Sequence, residues 1–334
     1  MIMSIIPVRT SRRLRAFLRA LTLPAVVLAV LAPRAAFAVQ SAELYRTDPY
    51  FYGRFEARLR FAPGEGVVSS FFLWKDGSSS TTSWNELDYE KVNATCRLQT
   101  NIWTGKGTQS AQFDTTTADI CGQYHTYAFE WTPDYIAWVI DGQQVRKVTG
   151  ASVAEYTQNA SQGMAMHFNV WVGNSSFGGT LNPSTLPVQE FISWAQYSSY
   201  ANGDFQLQWR EDFNGSTIPG GWSQGNWASP YNLSTHNPDN VTFADGIAVL
   251  SMTADGMTGY SGTVPSDSDT GTTGTGGTSA PGTGGAPAGG SGGSAPAGNG
   301  SSGGCDIGAG SPSGWGGLAA MLLACGGAIR RRRK

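Results

Sequence analysis

Between Trp84 and Glu90 the chain reads Trp-Asn-Glu-Leu-Asp-Tyr-Glu, with an acid at every second position. On a β-strand, residues i, i+2 and i+4 point to the same face. Glu86, Asp88 and Glu90 therefore line one surface of a strand. Three like charges on one strand face repel, so stability alone does not collect them. The stretch constrains the fold to one that contains a sheet with a polar, acid-bearing face.

The rest of the chain agrees with such a fold. Gly53 to Phe61 alternates apolar and polar, as a half-buried strand does. Further strands are expected at Val67–Trp74, Arg97–Trp103, Thr126–Thr132, Tyr135–Ile140, Met164–Val172, Phe191–Tyr197, Phe205–Phe213 and Val241–Thr253. Asp141-Gly142 and Asp245-Gly246 supply hairpin turns. Only Val153–Gln158 reads as a short helix. Many short strands separated by turn signals predict an all-β sandwich, and a jelly roll with one concave face suits a long polymer.

The 334 residues divide into four parts. Residues 1–38 read as an export signal: Arg9, Arg12, Arg13, Arg15 and Arg19, then apolar Leu21 to Leu31, then the cleavage pattern Ala36-Phe37-Ala38. Ser11-Arg12-Arg13 hints weakly at a twin-arginine route. Residues 39–261 form one domain. Residues 262–303, of Gly, Ser, Thr, Pro and Ala, read as a flexible linker. Residues 304–334 hold Cys305, an apolar run from Trp315 to Ile329 and the basic end Arg330 to Lys334. That run is short for a membrane span. The tail resembles the C-terminal sorting tag of myxobacterial surface proteins, which implies a cell-surface or secreted protein that meets a membrane only through its two ends.

A formal net charge of −2 and the lack of a basic patch argue against a nucleic-acid partner. The 11 tryptophans and 12 tyrosines fill a large β core or line a cleft where sugar faces stack on rings. Cys96 and Cys121 are expected to pair if their strands are neighbours, because export permits disulfides. His125, His167 and His236 have no metal-ligand spacing and read as packed residues.

Alternating carboxyls suit cleavage of a glycosidic bond. A retaining site holds two carboxyls about 5–5.5 Å apart, an inverting one about 6.5–9.5 Å. The Cα atoms of Glu86 and Glu90 lie about 13 Å apart on a flat strand, so two long side chains on a twisted strand must lean together. Glu86 then reads as nucleophile and Glu90 as acid and base. Asp88 between them shares a proton and helps keep Glu90 protonated. The competing reading is a solvated acidic face.

On these residues the sequence resembles glycoside hydrolase family 16, the jelly-roll, concanavalin-like β-glucanases. Tyr52 to Arg58, Val68 to Leu73, Asn85 to Glu90, His125 to Trp131 and Phe168 to Trp171 carry the resemblance. With no residue inserted between Asp88 and Glu90, it points to the lichenase and xyloglucan branch. It implies an endo-β-1,3-1,4-glucanase working by retention. The alternatives are a β-1,3-glucanase, a xyloglucan hydrolase or transglycosylase, or a non-catalytic glucan-binding module. Trp209 to Asn214 and Val241 to Thr253 match the segment that opens the family's domain but come last here, which implies circular permutation and places Ala42 near Gly259.

The resemblance places Trp84, Phe72, Gln99, Asn101, Tyr127, Trp131, Asn169, Trp171 and Trp227 at substrate-binding positions. Core packing is the rival for each, above all for Trp131 and Trp171. It implies no cofactor and no metal in the reaction. A weakly held structural calcium is expected near Ser193 and Gly246, because serine stands where relatives carry Asp or Asn. A β-glucan is the expected partner, and the domain is expected to be a monomer.

Overall fold

The computed structural model describes residues 39–113 and 118–267. The expected export signal, most of the linker and the C-terminal tail lie outside the described residues. In chain order the strands are β1 (Val39–Arg46), β2 (Gly53–Arg60), β3 (Val67–Trp74), β4 (Glu86–Val92), β5 (Arg97–Thr104), β6 (Thr108–Phe113), β7 (His125–Trp131), β8 (Tyr135–Ile140) and β9 (Gln143–Thr149). Helix α1 (Ala151–Asn159) follows, then β10 (Ala165–Val172), β11 (Val188–Ala201), β12 (Asp204–Glu211), β13 (Trp222–Gln224), β14 (Thr235–His236), β15 (Val241–Ala244) and β16 (Ile247–Ala254). The fold is all-β.

The strands join in one hydrogen-bonded path, β6-β5-β4-β3-β10-β1-β16-β11-β2-β7-β8-β9. This path curls into two layers, and β1 is the hinge between them. Its residues Ala42 to Tyr45 pair with β10, while Val39 and Gln40 pair with β16. The core lies between the layers. Phe71 and Tyr89 of one layer meet Phe129 and Tyr127 of the other, with centroids 4.7–5.2 Å apart. The Tyr89 hydroxyl sits 3.0 Å from the carbonyls of both Ala128 and Val139, and Trp138 Nε1 donates to the Asp88 carbonyl at 3.0 Å. These cross-layer bonds explain why a tyrosine is tolerated at position 89: its ring fills the core and its one polar atom finds acceptors.

Period-two alternation decides what β4 presents. Leu87 and Tyr89 are fully buried against the core, so Glu86, Asp88 and Glu90 must face away from it. Lys91 falls on the core side and is fully buried. Its Nζ donates to the carbonyls of Gly64 (2.8 Å) and Val67 (3.0 Å), and burial pushes its pKa down to about 7.

Cys96 and Cys121 form a disulfide with a Cα–Cα distance of 6.2 Å. Their strands are not neighbours. Cys96 sits in the turn from β4 to β5 and Cys121 in the segment before β7, so the bond ties loops of opposite layers together. It closes a loop of sequence separation 25. On chain-entropy grounds, the double variant C96S/C121S is expected to lose about 3 kcal/mol of stability, read from urea unfolding. A loss under about 1 kcal/mol would contradict that expectation.

The domain continues past the expected boundary at residue 261. Val264 is buried, Tyr124 donates to the Pro265 carbonyl at 3.0 Å, and Arg58 grips Asp267 through Nε (2.7 Å) and Nη2 (2.8 Å). A valine and an aspartate that pairs a buried arginine distinguish residues 262–267 from the Gly/Ser-rich stretch after them. The strand at β1 also escaped the sequence reading, because Gln40, Ser41 and Glu43 interrupt its apolar pattern.

Candidate active site

The outward face of β4 and its neighbours carries a row for each acid. Register pairs Trp74, Glu86 and Trp103 across β3, β4 and β5; then Phe72, Asp88 and Asn101; then Ser70, Glu90 and Gln99. On the far side of β3, strand β10 adds His167 opposite Phe72, Asn169 opposite Ser70 and Trp171 opposite Val68. The expected contacts Phe72, Gln99, Asn101, Asn169 and Trp171 thus share one face with the acids.

Each acid is held by a specific neighbour. Trp84 Nε1 donates to Glu86 Oε2 at 2.6 Å, and Gln99 Nε2 donates to Glu90 Oε2 at 3.2 Å. The Asp88 carboxyl lies next to that of Glu86, and the Trp103 side chain reaches Asp88. Trp84 and Trp103 stack with centroids 4.7 Å apart, and Trp74 meets Trp84 edge-on at 6.0 Å. Three indoles therefore surround the Glu86 end of the row. Asn101 Oδ1 accepts from the Ile102 amide at 2.9 Å, whereas Asn169 Oδ1 is buried with no protein partner.

The electrostatics follow from this crowding. Burial pushes Glu86 up to about 7, against the Trp84 N–H and the Asp88 proton, which hold it down; the charge of Glu43 adds to the upward push. Burial, with the charges of Glu86 and Glu90, drives Asp88 well above the carboxylate range. Burial and the charge of Glu86 lift Glu90 to about 8. Folded carboxyls with raised pKa values favour the fold in their protonated forms. Their contribution is complete below about 4.5 and is lost as pH rises through about 7 and 8. The melting temperature is accordingly expected to fall between pH 5 and 9, and E90Q to flatten that fall. An equal slope in wild type and E90Q would rule this out.

Two expected contacts lie elsewhere. Tyr127 is fully buried in β7 of the opposite layer, against Phe61 and Tyr89. Trp131 is fully buried near Phe51 and Tyr156, its Nε1 donating to Thr157 Oγ1 at 3.0 Å. Alternation in β7 turns residues 127, 129 and 131 inward, so both rings build the core beneath the site. Trp227 sits beside the face, tilted against Tyr45 at 5.6 Å and edge-on to His236 at 6.3 Å.

Sequence reasoning did not single out Trp103, Glu43, Tyr45 or His167 for this face. A signal was available: Gln99-x-Asn101-x-Trp103 and His167-x-Asn169-x-Trp171 repeat the period of the acids.

The expected calcium position is a shallow groove that includes Ser193, Asp212, Asn214, Asp245 and Gly246. The Asp212 carboxylate is engaged by Arg210 Nε at 2.7 Å, and Asp267 by Arg58. Among the described residues no group of three or more His, Cys, Asp or Glu side chains could hold a metal.

The sequence profile of Glycosyl hydrolases family 16 matches residues 21–196. A β-glucanase of Fibrobacter succinogenes is 36% identical over 242 residues, covering 68% of this chain and 68% of its own length. A β-glucanase of Bacillus amyloliquefaciens is 32% identical over 151 residues, 44% of this chain and 59% of its own. Among solved structures, Bacillus licheniformis β-glucanase aligns with a TM-score of 0.42 and 27% identity, over 48% of this chain and 78% of its own.

Proposed function

Since this chain belongs to the glycosyl hydrolases of family 16, we propose that it is an exported endo-β-glucanase that cuts β-1,3-1,4-glucan with retention. The observation that carries this reading is the row Glu86–Asp88–Glu90, turned outward between indoles and amides. The uninterrupted spacing of the acids favours mixed-linkage glucan as substrate, and the β-glucanase relatives favour a glucan.

The chemistry uses the chain's own groups and water. Ionised Glu86 attacks the anomeric carbon as the glycosidic C–O bond breaks, and protonated Glu90 gives its proton to the leaving oxygen. A glycosyl ester on Glu86 results. Water then enters, Glu90 takes its proton, and the water oxygen displaces Glu86 from the same carbon. Two inversions leave the β configuration unchanged. The raised pKa of Glu90 keeps its proton available near neutrality. The Trp84 N–H and the Asp88 proton favour the ionised form of Glu86.

Circular permutation belongs to the same proposal. Val39 pairs with Ala254, and Asn240 bridges the start of β1 and the stretch after β16 by donating to the Gln40 carbonyl (3.2 Å) and accepting from Gly259 N (2.9 Å). Such proximity is what a permuted chain requires. The Cys96–Cys121 disulfide supports export to an oxidising compartment. The enzyme is proposed to act as a monomer without a cofactor.

Reducing-sugar release by the full chain on lichenan, laminarin, carboxymethylcellulose and xyloglucan tests the reading. Strong release from lichenan is expected. Preference for laminarin or xyloglucan would remove the linkage assignment. Retained glucan binding with no release from any of the four would overturn the enzyme.

A further inference from the structure

Beside the acid row, the same face holds a second polar assembly. Glu43 of β1 is buried, with an imidazole beside each of its oxygens. His167 Nδ1 lies 2.8 Å from Oε1, His236 Nε2 lies 3.4 Å from Oε2, and the Trp227 side chain also hydrogen-bonds the carboxylate. His167 is clamped as a ring: it stacks on Tyr45 at 5.1 Å with planes 9° apart, and meets Phe72 at 4.9 Å. The side-chain exposures rank the three groups: 10% for His167, 6% for Glu43 and 1% for His236. Of the three, the imidazole of His167 is the most exposed.

We propose that His167 is a substrate-binding residue whose Nε2 accepts a hydroxyl of the bound glucan, and that Glu43, held by His236 and Trp227, positions it. The proposal rests on reading the acid row as a glycosidase site. An ionised carboxylate at Nδ1 fixes the proton on that nitrogen and leaves the Nε2 lone pair as an acceptor. Against burial, which pushes it up, the hydrogen bonds from His167 and Trp227 hold Glu43 below its ordinary value, which keeps it an acceptor. Burial pushes the His236 pKa down, its ring hydrogen-bonds the Ala42 backbone, and its Nε2 lies 3.4 Å from the Glu43 carboxylate.

Register gives His167 its place on the substrate. It pairs with Phe72, which pairs with Asp88, so two strand spacings of roughly 5 Å each separate it from the acids. A group that far along the face meets a neighbouring sugar, not the bond being cut. Its loss should therefore weaken binding without slowing the chemical step. Asn169, one alternate position along β10 with an unpartnered Oδ1, extends the same polar edge.

The test compares kcat and KM on lichenan for wild type, H167F, H167Q and E43Q in the full chain. H167F keeps a ring between Tyr45 and Phe72 but removes both nitrogens. It is expected to raise KM roughly five- to tenfold, the scale of one lost hydrogen bond, with kcat within about twofold. H167Q should recover most of the loss, and E43Q should move KM in the same direction as H167F. An unchanged KM in both H167F and H167Q, or a fall in kcat at constant KM, would overturn the proposal. Binding of a β-1,3-1,4-gluco-oligosaccharide to E86Q with and without H167F separates the two readings. A wild type that binds this sugar but releases none loses the glycosidase reading, while the affinity difference still decides the role of His167.

Discussion

Replacing Glu86 by glutamine is expected to lower lichenan turnover by roughly 10⁴-fold or more while glucan binding survives. The amide fills the same volume and can still accept the Trp84 N–H that lies 2.6 Å from Oε2 in the wild type. On the proposed mechanism it lacks the nucleophilic oxygen that forms the glycosyl ester. Glutamine also removes the charge that helps drive Asp88 upward, so Asp88 titrates lower in the variant. The fold should not suffer. Glu86 is a carboxyl whose pKa is raised to about 7, so a permanently neutral group at this position removes a cost that grows as pH rises. The melting temperature at pH 8 is therefore expected to equal or exceed that of wild type. Residual activity above about 1% of wild type, with a normal melting temperature, would sink the nucleophile assignment.

The acid row was legible in sequence because strand period and residue type pointed the same way. Glu86, Asp88 and Glu90 needed only alternation to share a face, and Leu87 and Tyr89 between them fixed which face was buried. The main strands and the two Asp-Gly turns were legible for the same reason. Less visible was anything that depends on which strands become neighbours. β1 carries Glu43 and Tyr45 to the outward face only because it pairs with β10 on one side and β16 on the other, some 130 and 210 residues along the chain. Position on a strand gives a period but not a sign. Tyr127 and Trp131 have the alternation of cleft residues, and tertiary packing turned that alternation inward. His167 read as a packed ring, which its stacking on Tyr45 bears out, but the carboxylate at its Nδ1 comes from a strand more than a hundred residues away.

Removal of Glu90 should produce a different defect from removal of Glu86, and the difference tests the division of labour between two carboxyls on one strand. E90A is expected to lose roughly 10²–10⁴-fold on lichenan, the range for a general acid and base. With an aryl β-glucoside oligomer whose leaving group needs no proton, the first step should recover and the glycosyl ester on Glu86 should accumulate as a burst of released phenol. Deglycosylation then waits on water that no base activates. Added azide, which needs no base, should restore turnover and give a β-glycosyl azide, because it attacks from the face opposite Glu86. In E86A, azide would instead occupy the space of the lost nucleophile and give the α product. The pH dependence should separate them too. Burial and the charge of Glu86 lift Glu90 to about 8, so wild-type activity requiring the protonated acid falls as pH rises through that value. E90A with the activated substrate should lack that alkaline limb in its first step. An α azide from E90A, or a limb that persists without Glu90, would reassign the roles of the two glutamates and leave the fold and the acid face as described.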